Sequence, residues 1–361
     1  MKIVTVVGAR PQFVKAGAVS RVLRQKHNEI LVHTGQHYDE NMSQVFFDQL
    51  KIPKPEYNLC VGSGNHGKQT GRMLEKIEEV ILEEKPDMMI VYGDTNSTIA
   101  GALAASKLHI PVAHVEAGLR SFNMAMPEEQ NRVLTDHISK ILLCPTNTAV
   151  ENLKKEGIQD GVFNVGDVML DTVLHNVKIA QEKSDIINRL DINNQDYILS
   201  TIHRAENTDD ISKLENILKA LISFEFKIVF PIHPRTRNII NTNEQRFSFI
   251  KNSNIMLIEP VSYLDMLVLE KNAKCIMTDS GGVQKEAYFF EIPCITLREE
   301  TEWVETLYDD WNVLVGSNQE KILEAVDKVF SKDYRTIPQK KYFGEGNASE
   351  KVLQIIERGY L

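Results

Sequence analysis

The chain has 361 residues, 42% of them hydrophobic and 25% charged, the balance of a soluble globular protein with enough apolar material for two ordinary domains. A formal net charge of −9 and a pI near 5.7 argue against a nucleic-acid groove or an anionic membrane surface as partner. A polyanionic small ligand would need positive charge that is local and specific.

Taken in order, the chain alternates strands and helices. Lys2 to Val7 is a β-branched run that ends at Gly8, followed by Arg10-Pro11 and a helical pattern through Arg24. The run MKIVTVVGARPQ therefore reads as a first strand instead of a signal peptide. Gly8 stands without the GxGxxG pattern, so NAD is not indicated, although a lone glycine turn can still hold phosphate. A second strand, Ile30 to Thr34, runs into Gly35-Gln36-His37-Tyr38-Asp39. After a polar stretch at Asn65 to Lys68 and an amphipathic helix at Met73 to Glu84, a buried strand beginning at Met88 ends in Gly93-Asp94. A small-residue helix spans Ala100 to Ser106, and a strand is expected at Ile110 to Ala113. Next comes HVEAGLRSFNMAMPEEQNR, with Glu116, Arg120, Glu128, Glu129 and Arg132 packed around Gly118 and Pro127. Pro127-Glu128-Glu129 is also a good helix start, with proline first and acids in the first turn.

A strand at Ile141 to Cys144, a helix at Thr148 to Glu156 and a strand at Phe163 to Asp167 complete the first half, before a long helix from Val168 to Lys183. Alternation restarts at Tyr197 to Ile202, whose end carries His203-Arg204-Ala205-Glu206-Asn207. Strands at Lys227 to Pro231, Ile255 to Ile258, Lys274 to Met277 and Cys294 to Leu297 follow. They end in His233-Pro234-Arg235, Glu259-Pro260, Asp279-Ser280-Gly281-Gly282 and Arg298. The pattern implies two α/β domains with doubly wound, mainly parallel sheets, residues 1–168 and 185–345, and a closing helix within 346–361. Cys60, Cys144, Cys275 and Cys294 show no metal spacing, three of them in apolar runs that suit core thiols. No stretch is long enough for a membrane helix, so a cytoplasmic location is expected.

Charged strand ends are where open α/β sheets place their chemistry. Arg10, Lys15, His203, Arg204, His233 and Arg298 offer positive or hydrogen-bonding groups there. Ser280-Gly281-Gly282 opens a helix whose free amides suit an anion, and Glu286 lies within reach of a ribose. This set suits a nucleoside diphosphate. Asp94, Glu116 and Glu128 supply carboxylates whose mutual repulsion can keep one protonated while another acts as base. No paired acids or Asp/His clusters call for a metal, and no cofactor is expected.

The motifs GARPQFVKA, HTGQHYDENM, YGDTNST, HVEAGLRSFN with MPEEQNR and LTDH, HRAEN, HPR, DSGGVQKEA and LREETEW resemble the non-hydrolysing UDP-N-acetylglucosamine 2-epimerases along nearly the whole chain. The resemblance implies a glycosyltransferase-B-like fold of two Rossmann-like domains, an active site in the cleft, a homodimer, and a last helix that crosses back onto the first domain. It implies elimination of UDP to a 2-acetamidoglucal and re-addition with the opposite C2 configuration. Asp94, Glu116 and Glu128 match the family's catalytic acids. His203 matches a catalytic position that would stabilise charge on the departing diphosphate, while Arg10, Lys15, His233, Ser280, Gly281, Gly282, Glu286 and Arg298 match substrate-binding positions. Met126 before Pro127 and Trp303-Val304-Glu305 depart from the common pattern and look like the subgroup acting on UDP-2,3-diacetamido-2,3-dideoxyglucuronate. Tyr38-Asp39 replaces residues that members use for an activating UDP-sugar. A sugar transferase of the same fold and an inactive nucleotide-sugar sensor are the competing readings; three acids on one domain speak against both.

Overall fold

The computed structural model describes residues 1–36, 47, 52–193 and 195–358. The His37-Tyr38-Asp39 segment, and with it the activating-site expectation, lies outside the described residues. The chain divides into two compact units, Met1–Leu174 with Lys341–Leu361, and His175–Lys340.

In the first unit seven parallel strands form one sheet among the described residues. They are β1 (Lys2–Val7), β2 (Asn28–His33), β3 (Tyr57–Asn58), β4 (Met88–Tyr92), β5 (Val112–Val115), β6 (Ile141–Cys144) and β7 (Val162–Asn164), in the order β3-β2-β1-β4-β5-β6-β7. β1 and β4 are buried on both faces, which is why they read as continuous Val, Ile and Met runs without alternation. Helix Asn96–Lys107 is rich in alanine, and Ala100, Ala102, Ala104 and Ala105 join Met73, Ile77, Val80 and Ile81 of helix His66–Glu84 in the core over Val4, Val6 and Val91. β5 begins two residues later than the apolar pattern suggested. Pro111 has no amide to give the ladder and stands just ahead of it, its carbonyl accepting the Met89 N–H at 2.9 Å. His114 is consequently inside a strand, and buried.

Helix Val168–Lys183 belongs to the first unit in its early turns, where Thr172 Oγ1 donates to the Val14 carbonyl at 3.1 Å. Asp171 there accepts the amides of Ala348 and Ser349 at 3.1 and 2.7 Å, capping helix Ala348–Arg358. That helix buries Val352, Leu353 and Ile356 and packs against helix Arg10–Leu23.

The second unit holds six parallel strands: β8 (Tyr197–Thr201), β9 (Lys227–Pro231), β10 (Ile255–Ile258), β11 (Cys275–Thr278), β12 (Cys294–Thr296) and β13 (Asn312–Leu314), in the order β10-β9-β8-β11-β12-β13. Its core is built from Ile198, Leu214, Leu218, Leu221, Ile228, Phe230, Met277, Ile295, Ile322 and Val326. Both sheets reverse their strand order once, at β1/β4 and at β8/β11, and ligands of doubly wound folds bind beyond the carboxyl ends at such points. No helix among the described residues is long and apolar enough to cross a membrane.

Candidate functional site

The β1/β4 switch point carries the first group of residues. Gly8 follows β1, and a Cβ there would lie 2.0 Å from Ser97 Oγ, so only glycine lets the loop pass the N-terminus of helix Asn96–Lys107. Gln12 ties the two loops together. Its Oε1 accepts the amides of Gly8 and Ala9 at 2.7 and 3.0 Å, and its Nε2 donates to the Tyr92 carbonyl at 2.7 Å. Arg10 is the first residue of helix Arg10–Leu23 and is partly buried. Lys15 is not at a strand end, as the sequence reading had it; it sits inside this helix, buried, and its ammonium binds Glu116 Oε2.

Glu116 follows β5 with φ of 73°, a left-handed conformation that costs a non-glycine residue about 1–3 kcal/mol. Its amide donates to the Leu143 carbonyl at 3.0 Å, and its side chain is buried against Lys15. Asp94 follows β4 with its side chain one-third exposed, and its Oδ2 accepts from Arg132 Nη2 at 2.8 Å and Nε at 3.2 Å. Arg132 Nη1 also binds Glu129 Oε2 at 2.8 Å. Two of the three expected acids thus each have a cation, an arrangement the sequence reading did not contain. Glu128, in the first turn of helix Pro127–Ile138, is exposed and makes no hydrogen bond or ion pair among the described residues.

Its neighbour Glu129 is 1% exposed and accepts from Ser121 N at 2.9 Å, Ser121 Oγ at 3.0 Å and Phe122 N at 2.9 Å. Burial alone would push this carboxyl up. The amides of Ser121 and Phe122, with Arg132, hold it below the usual range. Glu129 is therefore the anchor of the 121–126 loop. Beneath Asp94 and Glu116 lies a second buried layer: His114 between the Gly93 carbonyl and Asp136, and Arg120 between Asp136 and Glu156. Nothing in the local sequence distinguishes Asp136 from an ordinary helix acid.

The β8/β11 switch point carries the second group. Asp279, fully buried after β11, accepts the amides of His203 and Arg204 at 3.0 Å each, and Asn207 Nδ2 at 3.1 Å. It also stands 3.3 Å from His203 Nδ1. In the sequence Asp279 stands out only as part of a strand end, yet it shapes the whole loop after β8. His203 lies against His233, ring centroids 5.5 Å apart. His233 is exposed and caps helix Pro234–Thr242, its Nδ1 accepting the Arg235 amide at 3.2 Å. Partial burial and the nearby His203 and Arg235 lower its pKa, so the ring is neutral at neutral pH.

Ser280 caps helix Gly281–Phe289, and Gly281 and Gly282 form its first turn, leaving backbone donors at the strand end. Glu286, two turns in, is buried beside Glu270 of helix Tyr263–Asn272. Arg298 follows β12, buried, with Nη1 3.0 Å from Glu302 Oε2.

The fold and these two strand-end groups define a doubly wound α/β protein, with carboxylates at one switch point and helix amides, imidazoles and an arginine at the other. The family model described as UDP-N-acetylglucosamine 2-epimerase matches residues 21–357. A curated relative from Methanococcus maripaludis, named UDP-N-acetylglucosamine 2-epimerase homolog, is 60% identical over 99% of both chains. One from Pseudomonas aeruginosa, named UDP-2,3-diacetamido-2,3-dideoxy-D-glucuronate 2-epimerase, is 49% identical over 99% of this chain and 100% of its own. The solved structure of Methanocaldococcus jannaschii UDP-GlcNAc 2-epimerase in complex with UDP-GlcNAc and UDP is 46% identical, covers 99% of this chain and 100% of its own, and superposes with a TM-score of 0.91. The chain belongs to the UDP-N-acetylglucosamine 2-epimerase family.

Proposed function

We propose that the protein inverts C2 of UDP-GlcNAc, giving UDP-ManNAc without hydrolysis, and that it supplies precursors for surface polysaccharide as a cytoplasmic homodimer. The observation that carries the reaction is the pair of carboxylates, Asp94 and Glu116, presented from the adjacent strands β4 and β5 and each supported by its own cation.

The chemistry needs such a pair. C2–H of the sugar adjoins no carbonyl, so a base alone cannot remove its proton. The C1–O bond to the diphosphate breaks first, its electron pair leaving with UDP, and cationic character at C1 acidifies C2–H. A carboxylate takes that proton, the C2–H electrons become the C1–C2 double bond, and a 2-acetamidoglucal results. A proton then adds to C2 from the opposite face while a diphosphate oxygen of UDP attacks C1. The proton departs anti to the leaving group and returns syn to it, so both ring faces need an acid or base. Asp94, Glu116 and Glu128 serve these steps. Ser280, Gly281, Gly282, Glu286, Arg298, His233, Arg10 and Lys15 hold the UDP-sugar, and His203 stabilises charge on the departing diphosphate.

Proton NMR in D2O with UDP-GlcNAc tests the reading, with no metal or acceptor added. Replacement of H2 by deuterium and growth of UDP-ManNAc to a plateau is the expected result. Release of free sugar would instead mark a hydrolysing enzyme. Exchange only with UDP-2,3-diacetamido-glucuronate would keep the reaction and change the substrate. Exchange with neither sinks the proposal.

A further inference from the structure

His114 is fully buried in β5, two residues before Glu116. Its Nε2 lies 2.7 Å from the Gly93 carbonyl oxygen and its Nδ1 2.7 Å from Asp136 Oδ1. A carbonyl oxygen only accepts hydrogen bonds, and so does an ionised carboxylate. Asp136 is ionised: its Oδ2 takes Arg120 Nη1 at 2.7 Å and the Gly118 amide at 3.1 Å. Both nitrogens of His114 must therefore donate, which makes the ring an imidazolium. Asp136 lies between Arg120 and His114, all three buried, while Glu156 on the far side of Arg120 is exposed and also faces His137 at 4.0 Å. Cys144 on β6, the remaining titratable group facing Asp136, is kept a neutral thiol by burial.

The imidazolium touches both acid-bearing loops. Through Nε2 it fixes the peptide between Gly93 and Asp94. Through Asp136 it fixes the Gly118 amide, closing the turn in which Glu116 takes its left-handed backbone. The loops are close enough to need a common anchor: a Cβ on Gly93 would stand 3.2 Å from Glu116 Oε2. We propose that His114, as an imidazolium clamped between Asp136 and the Gly93 carbonyl, is the positioning residue that sets Asp94 and Glu116 against the substrate. This rests on the epimerase reading above.

Two measurements test it. Long-range 1H–15N spectra of protein labelled with 15N-histidine, assigned by the signal missing in H114Q, should show one ring with a proton on both nitrogens at about pH 8, where exposed imidazoles are neutral. A single-tautomer signal for that ring overturns the proposal. H114Q reaches one acceptor but not both, and D136N withdraws the counter-charge. Both variants should lose about 100-fold in kcat for C2 deuterium exchange, as displaced catalytic groups do, with UDP affinity unchanged. Wild-type kcat in either folded variant, or equal losses in kcat and UDP affinity, also overturns it. Absence of exchange in the wild type sinks the epimerase reading and this role with it; it is told apart from failure of the clamp because in that case wild type and H114Q both exchange.

Discussion

Arg132 grips one oxygen of Asp94 from two nitrogens, at 2.8 and 3.2 Å, and leaves the other oxygen, Oδ1, without a hydrogen bond among the described residues. The same guanidinium holds Glu129, the anchor of the 121–126 loop. A single planar cation thus orients the carboxylate proposed to react and ties down the segment beside it, which a point charge on a flexible stem cannot do. R132K should stay folded yet lose about 100-fold in kcat for C2 deuterium exchange, because the carboxylate is no longer held in one orientation. Wild-type exchange by R132K would remove Arg132 from the argument.

Lys15 and Glu116 make the complementary case. Both are buried, so each single truncation takes a close counter-charge from a buried ion. K15M and E116L should each cost about 3–5 kcal/mol in urea unfolding, and the double variant K15M/E116L should recover much of that loss. Activity should behave differently: all three variants should be inactive in C2 exchange, since Glu116 is gone or has lost the Lys15 ammonium. Additive stability losses in the cycle would show that the pair does not act as a unit.

Acid should unfold the first unit through Asp136 and Glu129. Burial opposes ionisation of both carboxyls. For Asp136, His114 and Arg120 outweigh it, and for Glu129 the Ser121 and Phe122 amides do; both pKa values are lowered on folding. The unfolded chain therefore takes up these protons first. The stability they contribute is complete above the unfolded carboxylate values, about 4, and is lost as pH falls from there through the folded values. Thermal unfolding followed between about pH 6 and pH 3 should show a drop in Tm that is shallower in D136N. Parallel curves for wild type and variant would contradict this assignment.

Most strands were legible because a parallel sheet covered on both faces imposes unbroken apolar runs, as in β1, β4 and β8. β3 and β13 were not, since Tyr57–Asn58 and Asn312–Leu314 are short edge strands with no run to read. Asp94 and Glu116 could be found from their places after buried strands. Their cations could not: Lys15 is 101 residues from Glu116 and Arg132 is 38 from Asp94, and only the fold joins them. Glu128 and Glu129 are neighbours in one helix turn, and helix phase alone decides that the second is buried while the first meets solvent. A composition or spacing rule has no access to that phase until the packing of helix Pro127–Ile138 is known.

Glu270 offers the opposite sign to Asp136. It is fully buried at the end of helix Tyr263–Asn272; burial first, then the adjacent Glu286, pushes its carboxyl well above the ordinary range. The folded protein holds this proton to higher pH than the unfolded chain, which releases it near about 4.3. Glu270's contribution to stability is therefore complete below that value and is lost as pH rises towards the folded one. E270Q keeps the volume and an N–H to donate towards Glu286, but has no proton to lose on unfolding. It should match wild type at about pH 4 and become progressively the more stable of the two as pH rises to about 8, read as a widening gap in Tm. A gap that stays constant with pH, or that closes as pH rises, would mean that Glu270 is ionised in the folded protein. Glu270 would then be a buried anion beside Glu286 of the helix that opens at Ser280.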